Sequence, residues 1–204
     1  VGNVEGDTSM IKEIPFGTVI EGKKVFAGVA ITAWARIYED YDDPSVTPEH
    51  RAALFPMVLM MQRWDGAAGF VGGLLDVGKS LAEQAVKEAG EEADFKVEAD
   101  ELTPLVSHEA ERIVAHLFRC PLSCDDSSVV DVDALKDTIA CAASAEHAVA
   151  EGNAFWAHLA DYGRGAGWER LRNSNCLSTA VAEELDSVRA WMYANAPEGA
   201  YKGP

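Results

Sequence analysis

The chain has 204 residues, of which 48% are hydrophobic, and a formal net charge of −17 at pH 7. This length fits one globular domain with a sizeable core, and no apolar run is long enough to span a membrane. The acidic charge argues against binding nucleic acid through broad phosphate contact, because proteins that do so carry a basic stripe. It is compatible with capture of a single 5′ end, or with a basic protein partner.

The N-terminus shows no signal-peptide pattern, so we expect an intracellular protein. The compartment is left open between the nucleus, the cytoplasm and an organelle. The chain starts at Val1 rather than Met, which is compatible with an upstream segment that has been removed. The four cysteines are Cys120, Cys124, Cys141 and Cys176, and the first two form a single C-x3-C pair. One such pair predicts reduced thiols rather than a zinc site or a disulfide framework.

The first predicted elements are two buried strands, over residues 25–34 and 56–64, with the charged, proline-containing residues 38–51 as a loop between them. A glycine turn follows and leads directly into a helix. Ser80 is a good N-cap, and Glu83 three positions later completes a capping box, so this helix is expected to begin near Leu81.

The same helix gathers three carboxylates along one edge of its apolar face, at positions i, i+3 and i+4: Glu88, Glu91 and Glu92. Glu83 points away from them and can pair with Lys87. Like charges placed this way destabilise a helix unless a cation offsets them, and Mg²⁺ or Mn²⁺ prefers oxygen ligands. A carbonyl of the glycine turn is a further candidate ligand. The alternative is a solvated acidic helix face.

The rest of the chain continues the alternation of strands and helices. We predict a hairpin from residues 101–107 and 112–120 around a turn at 107–111, a helix over 131–145 with Asp133 as its cap, a short strand over 155–159, a loop at 163–167 and an amphipathic helix over 178–193. This order predicts an α/β sandwich.

The segment that starts at Gly73 resembles the Nudix box, G-x5-E-x7-R-E-U-x-E-E-x-G-U, in which U is a bulky aliphatic residue. The three glutamates then fall on the metal-binding glutamates of that family, and we call Glu88, Glu91 and Glu92 the box glutamates. Three positions depart from the pattern: Lys79 replaces the first glutamate, Lys87 the arginine and Asp94 the late glycine. The resemblance implies one Nudix domain over residues 1–204, with a core of about 22–195 and flexible ends, folded as an α/β/α sandwich with a mixed sheet.

Motifs outside the box resemble the U8 snoRNA-decapping branch of this family, whose members are also known as inosine diphosphatases. They comprise residues 60–66, 69–73 and 112–118, and Asn173-Ser174 before the last helix. Members of that branch cleave a pyrophosphate linkage in a 5′ RNA cap or in a purine nucleoside di- or triphosphate. Arg63 and Phe70 fall on nucleotide-contacting positions, and Leu74 stands where an aromatic residue is expected. With Gly72 and His116 they form the predicted substrate-binding set, although a lone mid-strand histidine is more often a packed residue.

The resemblance implies metal-assisted hydrolysis of a phosphoanhydride, with Mg²⁺ or Mn²⁺ held by the box glutamates and the Gly73 carbonyl. Arg63 would steady phosphate oxygens, and the proton would go to a box glutamate, Glu109 or Glu111. The competing hypothesis is a catalytically weak or inactive Nudix-fold subunit that serves in RNA binding or assembly, motivated by Lys79, Lys87 and Asp94. A homodimer is left open.

Overall fold

The fold is known from a computed structural model, which describes residues 11–39, 42, 44, 46–123, 129–148, 152–162 and 167–203. Within these residues a nine-stranded mixed sheet is the central layer. Its strands are β1 (Lys12–Glu13), β2 (Lys24–Ala35), β3 (Phe55–Gln62), β4 (Ala68–Gly69), β5 (Val71–Leu74), β6 (Thr103–Glu109), β7 (Ile113–Pro121), β8 (Val129–Val130) and β9 (Asn153–His158).

The helices cover both faces of this sheet. They are α1 (Pro48–Ala52), α2 (Leu81–Ala93), α3 (Val132–Ser144), α4 (Trp168–Arg172) and α5 (Val181–Ala194). None of the described helices is long and apolar enough to cross a membrane.

Strand β2 is the centre of the sheet. The main strand order is β1-β6-β7-β2-β3-β4; β5 and β8 also pair with β2, and β9 pairs with β3. The pairings of β2 with β7 and β8 are parallel, whereas those with β3 and β5 are antiparallel. Residues 27–35 of β2 are buried without interruption, because helices cover the strand on both faces.

Each face of the sheet has its own apolar core. On one face, α2 packs through the small residues Ala85, Ala89 and Ala93 against Val29 and Val71, and α3 adds Ala142. On the other face, α5 packs against the sheet with the residues Val181, Leu185, Val188 and Met192. The predicted α/β/α sandwich with a mixed sheet is therefore confirmed.

Two boundaries in the first half of the chain differ by more than one residue from the predicted ones. The predicted loop at 38–51 contains the start of α1, because Thr47 Oγ1 accepts the His50 N–H at 3.2 Å and Pro48 occupies the first turn. Strand β3 ends at Gln62 rather than at residue 64, because the Arg63 N–H turns to Ala67 O at 2.8 Å and starts the hairpin to β4.

The predicted turn at residues 107–111 is also wrong in position. Strand β6 continues to Glu109, with Ser107 opposite His116 and Glu109 opposite Val114, so the chain reverses only after Glu109. In α3 the N-cap is Asp131 rather than the predicted Asp133, since Asp131 Oδ1 accepts the Ala134 N–H at 2.8 Å.

The last helix begins three residues later than predicted. The Ser178 N–H bonds to Ala68 O at 2.9 Å, which ties this stretch to β4, and Ala180 then adopts a left-handed conformation, at φ 68°, before α5 starts. Of the predicted loop at 163–167, residues 163–166 lie outside the described residues. Cys120 is buried, Cys141 and Cys176 are exposed thiols, and Cys124 lies outside the described residues.

Candidate active site

The glycine turn ahead of α2 lies directly against the central strand. Gly72 is opposite Gly28, and Gly73 is opposite Ala27. A Cβ added at Gly72 would lie 2.5 Å from the Gly28 α-carbon and 2.7 Å from Ala27 O. The two backbones can approach this closely only because neither Gly72 nor Gly28 has a side chain.

Gly73 leaves room for the carboxylate of Glu88. A Cβ at Gly73 would lie 2.5 Å from Glu88 Oε1 and 2.9 Å from Glu88 Oε2, so the carboxylate rests on the glycine backbone. Glu88 is buried. Desolvation raises the pKa of its carboxyl group, while the charge of Lys87 and a hydrogen bond from Gln84 act in the opposite direction.

Glu92, one turn further along α2, contacts the other glycine of the turn. It is buried, and its Oε2 accepts the Gly72 N–H at 2.9 Å. The alanine face of α2 permits this contact, because small side chains let the helix approach the sheet closely. Two of the box glutamates thus lie against the glycine turn, as the spacing of the Nudix box implies.

Glu91 is more accessible and faces different partners. Its Oε2 lies 3.4 Å from Lys87 Nζ and 3.5 Å from His147 Nδ1. Its backbone carbonyl also accepts the His147 N–H at 3.1 Å. The segment after α3 is therefore attached to α2 at Glu91.

The Lys87 ammonium lies among three carboxylates. Its Nζ is 3.1 Å from Asp76 Oδ2, 3.6 Å from Glu88 Oε1 and 3.4 Å from Glu91 Oε2. The hydrogen bond to Asp76 is the main cause of a raised Lys87 pKa. Lys87 stands at the arginine position of the box, and through Asp76 it ties the loop after β5 to α2.

The predicted pairing of Glu83 with Lys87 is replaced by a capping contact. Glu83 Oε2 accepts the Ser80 N–H at 2.7 Å, and Ser80 Oγ accepts the Glu83 N–H at 3.2 Å. The predicted capping box and the start of the helix at Leu81 are thereby confirmed.

Sequence reasoning missed Gln84, which is fully buried. Its Nε2 donates to Glu88 Oε1 at 2.6 Å, and its Oε1 accepts the Asp76 N–H at 3.1 Å. A usable signal was present in the sequence, because Gln84 precedes Glu88 by four residues and so lies on the same side of the helix.

The donors at this place are of the kind that a hard divalent cation prefers, namely the box carboxylates and the Gly73 carbonyl. A buried carboxylate whose charge is disfavoured by desolvation, as in Glu88, also suits a bound cation. Within the described ranges, no three His, Cys, Asp or Glu side chains are grouped closely enough to hold a metal ion as they stand. Glu91 faces Lys87 and His147, and Glu92 faces Gly72, so side chains must rearrange for all three to share one ion.

The predicted substrate-binding residues differ in accessibility. Arg63 lies in the turn after β3, where its Nη2 is 3.4 Å from Asp65 Oδ2. Phe70 is buried in the core beneath α5, whereas Leu74 is 46% exposed at the end of β5. Trp64, next to Arg63, is 77% exposed and is therefore not a core residue.

The two acidic residues considered as alternative bases lie at the end of the β6–β7 hairpin. Glu109 Oε1 is 2.7 Å from Lys23 Nζ, and this hydrogen bond is the main cause of a lowered Glu109 pKa. Glu111 is exposed and lies 3.6 Å from Arg112 Nε. The hairpin and the loop after β5 meet the same end of β2, at Lys24 and Val25. Glu109 and Glu111 are thus placed by Lys23 and Arg112, and their proposed role as bases stays a prediction.

His116 is fully buried in β7, and both of its ring nitrogens have partners. Nδ1 lies 2.6 Å from Ser107 Oγ, and Nε2 lies 3.1 Å from Thr18 O. Burial lowers the pKa of the imidazole, against the opposing hydrogen bond to Thr18. These contacts agree with the packed interpretation of His116, and its predicted substrate contact stays a prediction.

Comparison with known proteins adds a family and a fold. The model of the Nudt16-like family, described as U8 snoRNA-decapping enzyme-like, matches residues 33–139. No curated protein sequence matches the chain at a significant level.

Two solved structures share the fold. A mutT/nudix family protein from Listeria innocua is 12% identical, over 87% of this chain and 97% of that chain, with a TM-score of 0.53. A MutT/nudix family protein from Enterococcus faecalis is 11% identical, over 90% of this chain and 65% of that chain, with a TM-score of 0.52. At such identities the likeness concerns the fold alone.

Proposed function

Because the chain belongs to the Nudt16-like family of Nudix proteins, whose model matches just over half of it, we propose that it hydrolyses a pyrophosphate bond with the help of a divalent cation. The substrate class is a nucleoside diphosphate derivative or an RNA 5′ end. The family description names a decapping enzyme, and pyrophosphohydrolase activity on a nucleotide is the second form of the proposed reaction.

One observation carries the proposal: two of the three box glutamates lie on the glycine turn. Glu88 lies against Gly73, and Glu92 accepts the Gly72 N–H at 2.9 Å. Glu88 and Glu92 are buried one turn apart on α2. Two buried carboxylates this close together are costly unless positive charge offsets them. We propose that Glu88, Glu91 and Glu92, with the Gly73 carbonyl, hold Mg²⁺ or Mn²⁺. When bound, such an ion neutralises a diphosphate and lowers the pKa of an attacking water.

The residues of the chain supply positioning and proton transfer. Arg63, on the turn after β3, steadies phosphate oxygens, since phosphoryl transfer depends mainly on orientation and charge stabilisation. The proton acceptor is a box glutamate, Glu109 or Glu111. Glu91 is more solvent-accessible than Glu88.

One contact favours the competing function. Lys87 already places a cation 3.6 Å from Glu88 and 3.4 Å from Glu91, and a positive charge at that place opposes the entry of a metal ion. On this alternative the chain is a catalytically inactive Nudix-fold subunit for RNA binding or assembly. Its net charge of −17 suits a basic protein partner.

Metal binding and hydrolysis together test the proposal. The parent chain is assayed with Mg²⁺ or Mn²⁺ on capped RNA, 5′-triphosphate RNA, IDP, GDP and ADP-ribose, and its melting temperature is measured with and without metal. We expect metal to raise the melting temperature and product to form from at least one substrate. Both effects should be lost in the double variant Glu91→Gln, Glu92→Gln.

A charge-matched control is available on α3, where Asp133 and Asp137 are exposed. The double variant Asp133→Asn, Asp137→Asn should keep both metal stabilisation and hydrolysis. A parent chain that neither responds to metal nor cleaves any of the five substrates would contradict the proposal and leave the inactive subunit as the better account.

A further inference from the structure

Gln84 connects the loop after the glycine turn to a box glutamate. Its amide nitrogen donates to Glu88 Oε1 at 2.6 Å, and its amide oxygen accepts the Asp76 N–H at 3.1 Å. A carboxylate only accepts and a backbone N–H only donates, so this orientation of the amide is the one that satisfies both partners. Gln84 therefore links Glu88 to the loop in a fixed geometry.

Because Gln84 is buried, its amide group depends on these two hydrogen bonds. The side chain is completely inaccessible to solvent, and a buried amide is costly unless its donors and acceptors are paired. An apolar residue of similar size would fill the same space without that requirement. A need for packing alone does not explain an amide at this position, whereas a need to orient Glu88 does.

Glu88 is restrained from three sides. Gly73 provides the surface on which the carboxylate rests, Lys87 approaches Oε1 from the more accessible side at 3.6 Å, and Gln84 approaches the same oxygen from the buried side. The contact of Gln84 with Oε1, at 2.6 Å, is shorter than that of Lys87, and the Gln84 side chain is the more buried of the two.

We propose that Gln84 is a positioning residue, which holds the Glu88 carboxylate against Gly73 in the orientation that receives the divalent cation. The inference rests on the proposed function, since it concerns the same metal site. Groups that orient a metal ligand typically change metal affinity 10- to 100-fold when they are removed. Gln84 acts through Glu88 and has no role of its own in the chemistry.

The test is the variant Gln84→Met, which keeps the length of the side chain and removes the amide. Mn²⁺ binding to the metal-free protein is measured by electron paramagnetic resonance, together with the melting temperature of the metal-free protein and kcat and KM with Mn²⁺. We expect the dissociation constant for Mn²⁺ to rise by about 10- to 100-fold, with a fall in kcat at saturating substrate. The matched control is Thr138→Val, which removes a partly buried hydrogen bond to Ala134 O, at 2.8 Å, within α3. This control should lower the melting temperature and leave Mn²⁺ binding as in the parent chain.

The outcomes separate this inference from the proposed function. Gln84→Met with parental Mn²⁺ affinity and a lowered melting temperature would show a purely structural residue and overturn the inference alone. A parent chain that does not bind Mn²⁺ would overturn both. Where Gln84→Met does not fold, Gln84→Asn replaces it, because its shorter amide does not span from Asp76 to Glu88. Parental affinity in Gln84→Asn would likewise overturn the inference.

Discussion

Gly73 is the residue on which the geometry of the candidate site depends most directly. The position that a β-carbon would occupy lies 2.5 Å from Glu88 Oε1 and 2.6 Å from the carboxyl carbon of that residue. Any side chain would therefore push the carboxylate away from the backbone. The glycine is needed here for its lack of volume and not for an unusual backbone angle.

Replacing Gly73 by Ala should displace Glu88 and weaken the proposed metal site. We expect at least a roughly 10-fold loss of Mn²⁺ affinity and of kcat/KM, which is the scale of effect seen when a ligand's orientation is disturbed. Isothermal titration with Mn²⁺ and steady-state kinetics measure the two effects. Gly90→Ala is the control, because no atom lies within 4 Å of its added Cβ. It should stabilise α2 by about 1 kcal/mol and leave metal binding unchanged. Equal Mn²⁺ affinity in the two variants would refute the steric role of Gly73.

Sequence spacing predicted part of this arrangement. Helical periodicity predicted that Glu88, Glu91 and Glu92 share one edge of α2. In the structure Glu88 and Glu92 lie at the glycine turn, whereas Glu91 faces Lys87 and His147. The contact of Gln84 with Glu88 was missed although their i, i+4 spacing was available in the sequence. The contact of Asp76 with Lys87 could not be predicted, since it depends on the path of the loop between β5 and α2. No local pattern specifies that path.

At the scale of the element, the end of α2 departs from the family pattern without losing its geometry. Asp94, where the box has glycine, adopts the left-handed conformation at φ 47° and ψ 32°. The Phe95 N–H bonds back to Ala89 O at 2.9 Å, which closes the helix. The backbone thus keeps the turn that glycine favours, at the energetic cost of a side chain in a left-handed conformation.

Asp94→Gly should therefore stabilise the protein. We expect the free energy of unfolding to rise by roughly 0.5–1 kcal/mol, as measured by urea denaturation. The same exchange inside a regular helix, Asp137→Gly in α3, should lower it by roughly 0.3 kcal/mol, because glycine is the poorer helix former. A lower stability of Asp94→Gly than of the parent would show that the aspartate side chain contributes more than its strain costs.

The order and type of the main elements follow from apolar periodicity, whereas their ends do not. The continuous apolar run in β2 and the capped start of α2 were predicted. Helix α1 was missed because its short length and charged composition resemble a loop. The start of α5 was misplaced because Ala180, at φ 68°, carries no sequence signal for a left-handed residue.

At the scale of the whole molecule, buried ionisable groups determine how stability depends on pH. Glu184 on α5 is buried, with 2% of its surface exposed, and its Oε1 has no hydrogen-bond partner among the described residues. Desolvation, and secondarily the charge of Glu183, raises its pKa from 4.5 to about 8. The folded state thus binds a proton between these pH values that the unfolded state has released, so stability falls as pH rises from about 4.5 to about 8.

Two buried histidines and one half-buried histidine have the opposite effect on stability at acidic pH. Desolvation lowers the pKa of His108, His116 and His158 below the ordinary value of 6.5. As pH falls below 6.5, the unfolded state takes up protons that the folded state does not bind, so these residues reduce stability in acid.

One substitution should remove the loss of stability that Glu184 causes as pH rises. Glu184→Met replaces the buried acid with an apolar side chain of similar length. We expect the difference in melting temperature between this variant and the parent to increase steadily from about pH 5 to about pH 8, in favour of the variant. Ser187→Ala on the same helix removes a hydrogen bond to Glu183 O, at 3.2 Å, and should give a difference that does not vary with pH. A constant difference for Glu184→Met over this range would exclude Glu184 as the source of that loss.

The central position of β2 also has a consequence for how the chain folds. Its partners come from distant parts of the sequence: Val58 lies opposite Thr32, Leu74 opposite Phe26, Val114 opposite Val25 and Val129 opposite Trp34. Loop closure must be completed before such pairings stabilise the chain, so this topology has high contact order and folds slowly for its size. Because the glycine turn is aligned by its pairing with β2, the carboxylates of α2 reach their final positions only once these long-range contacts have formed.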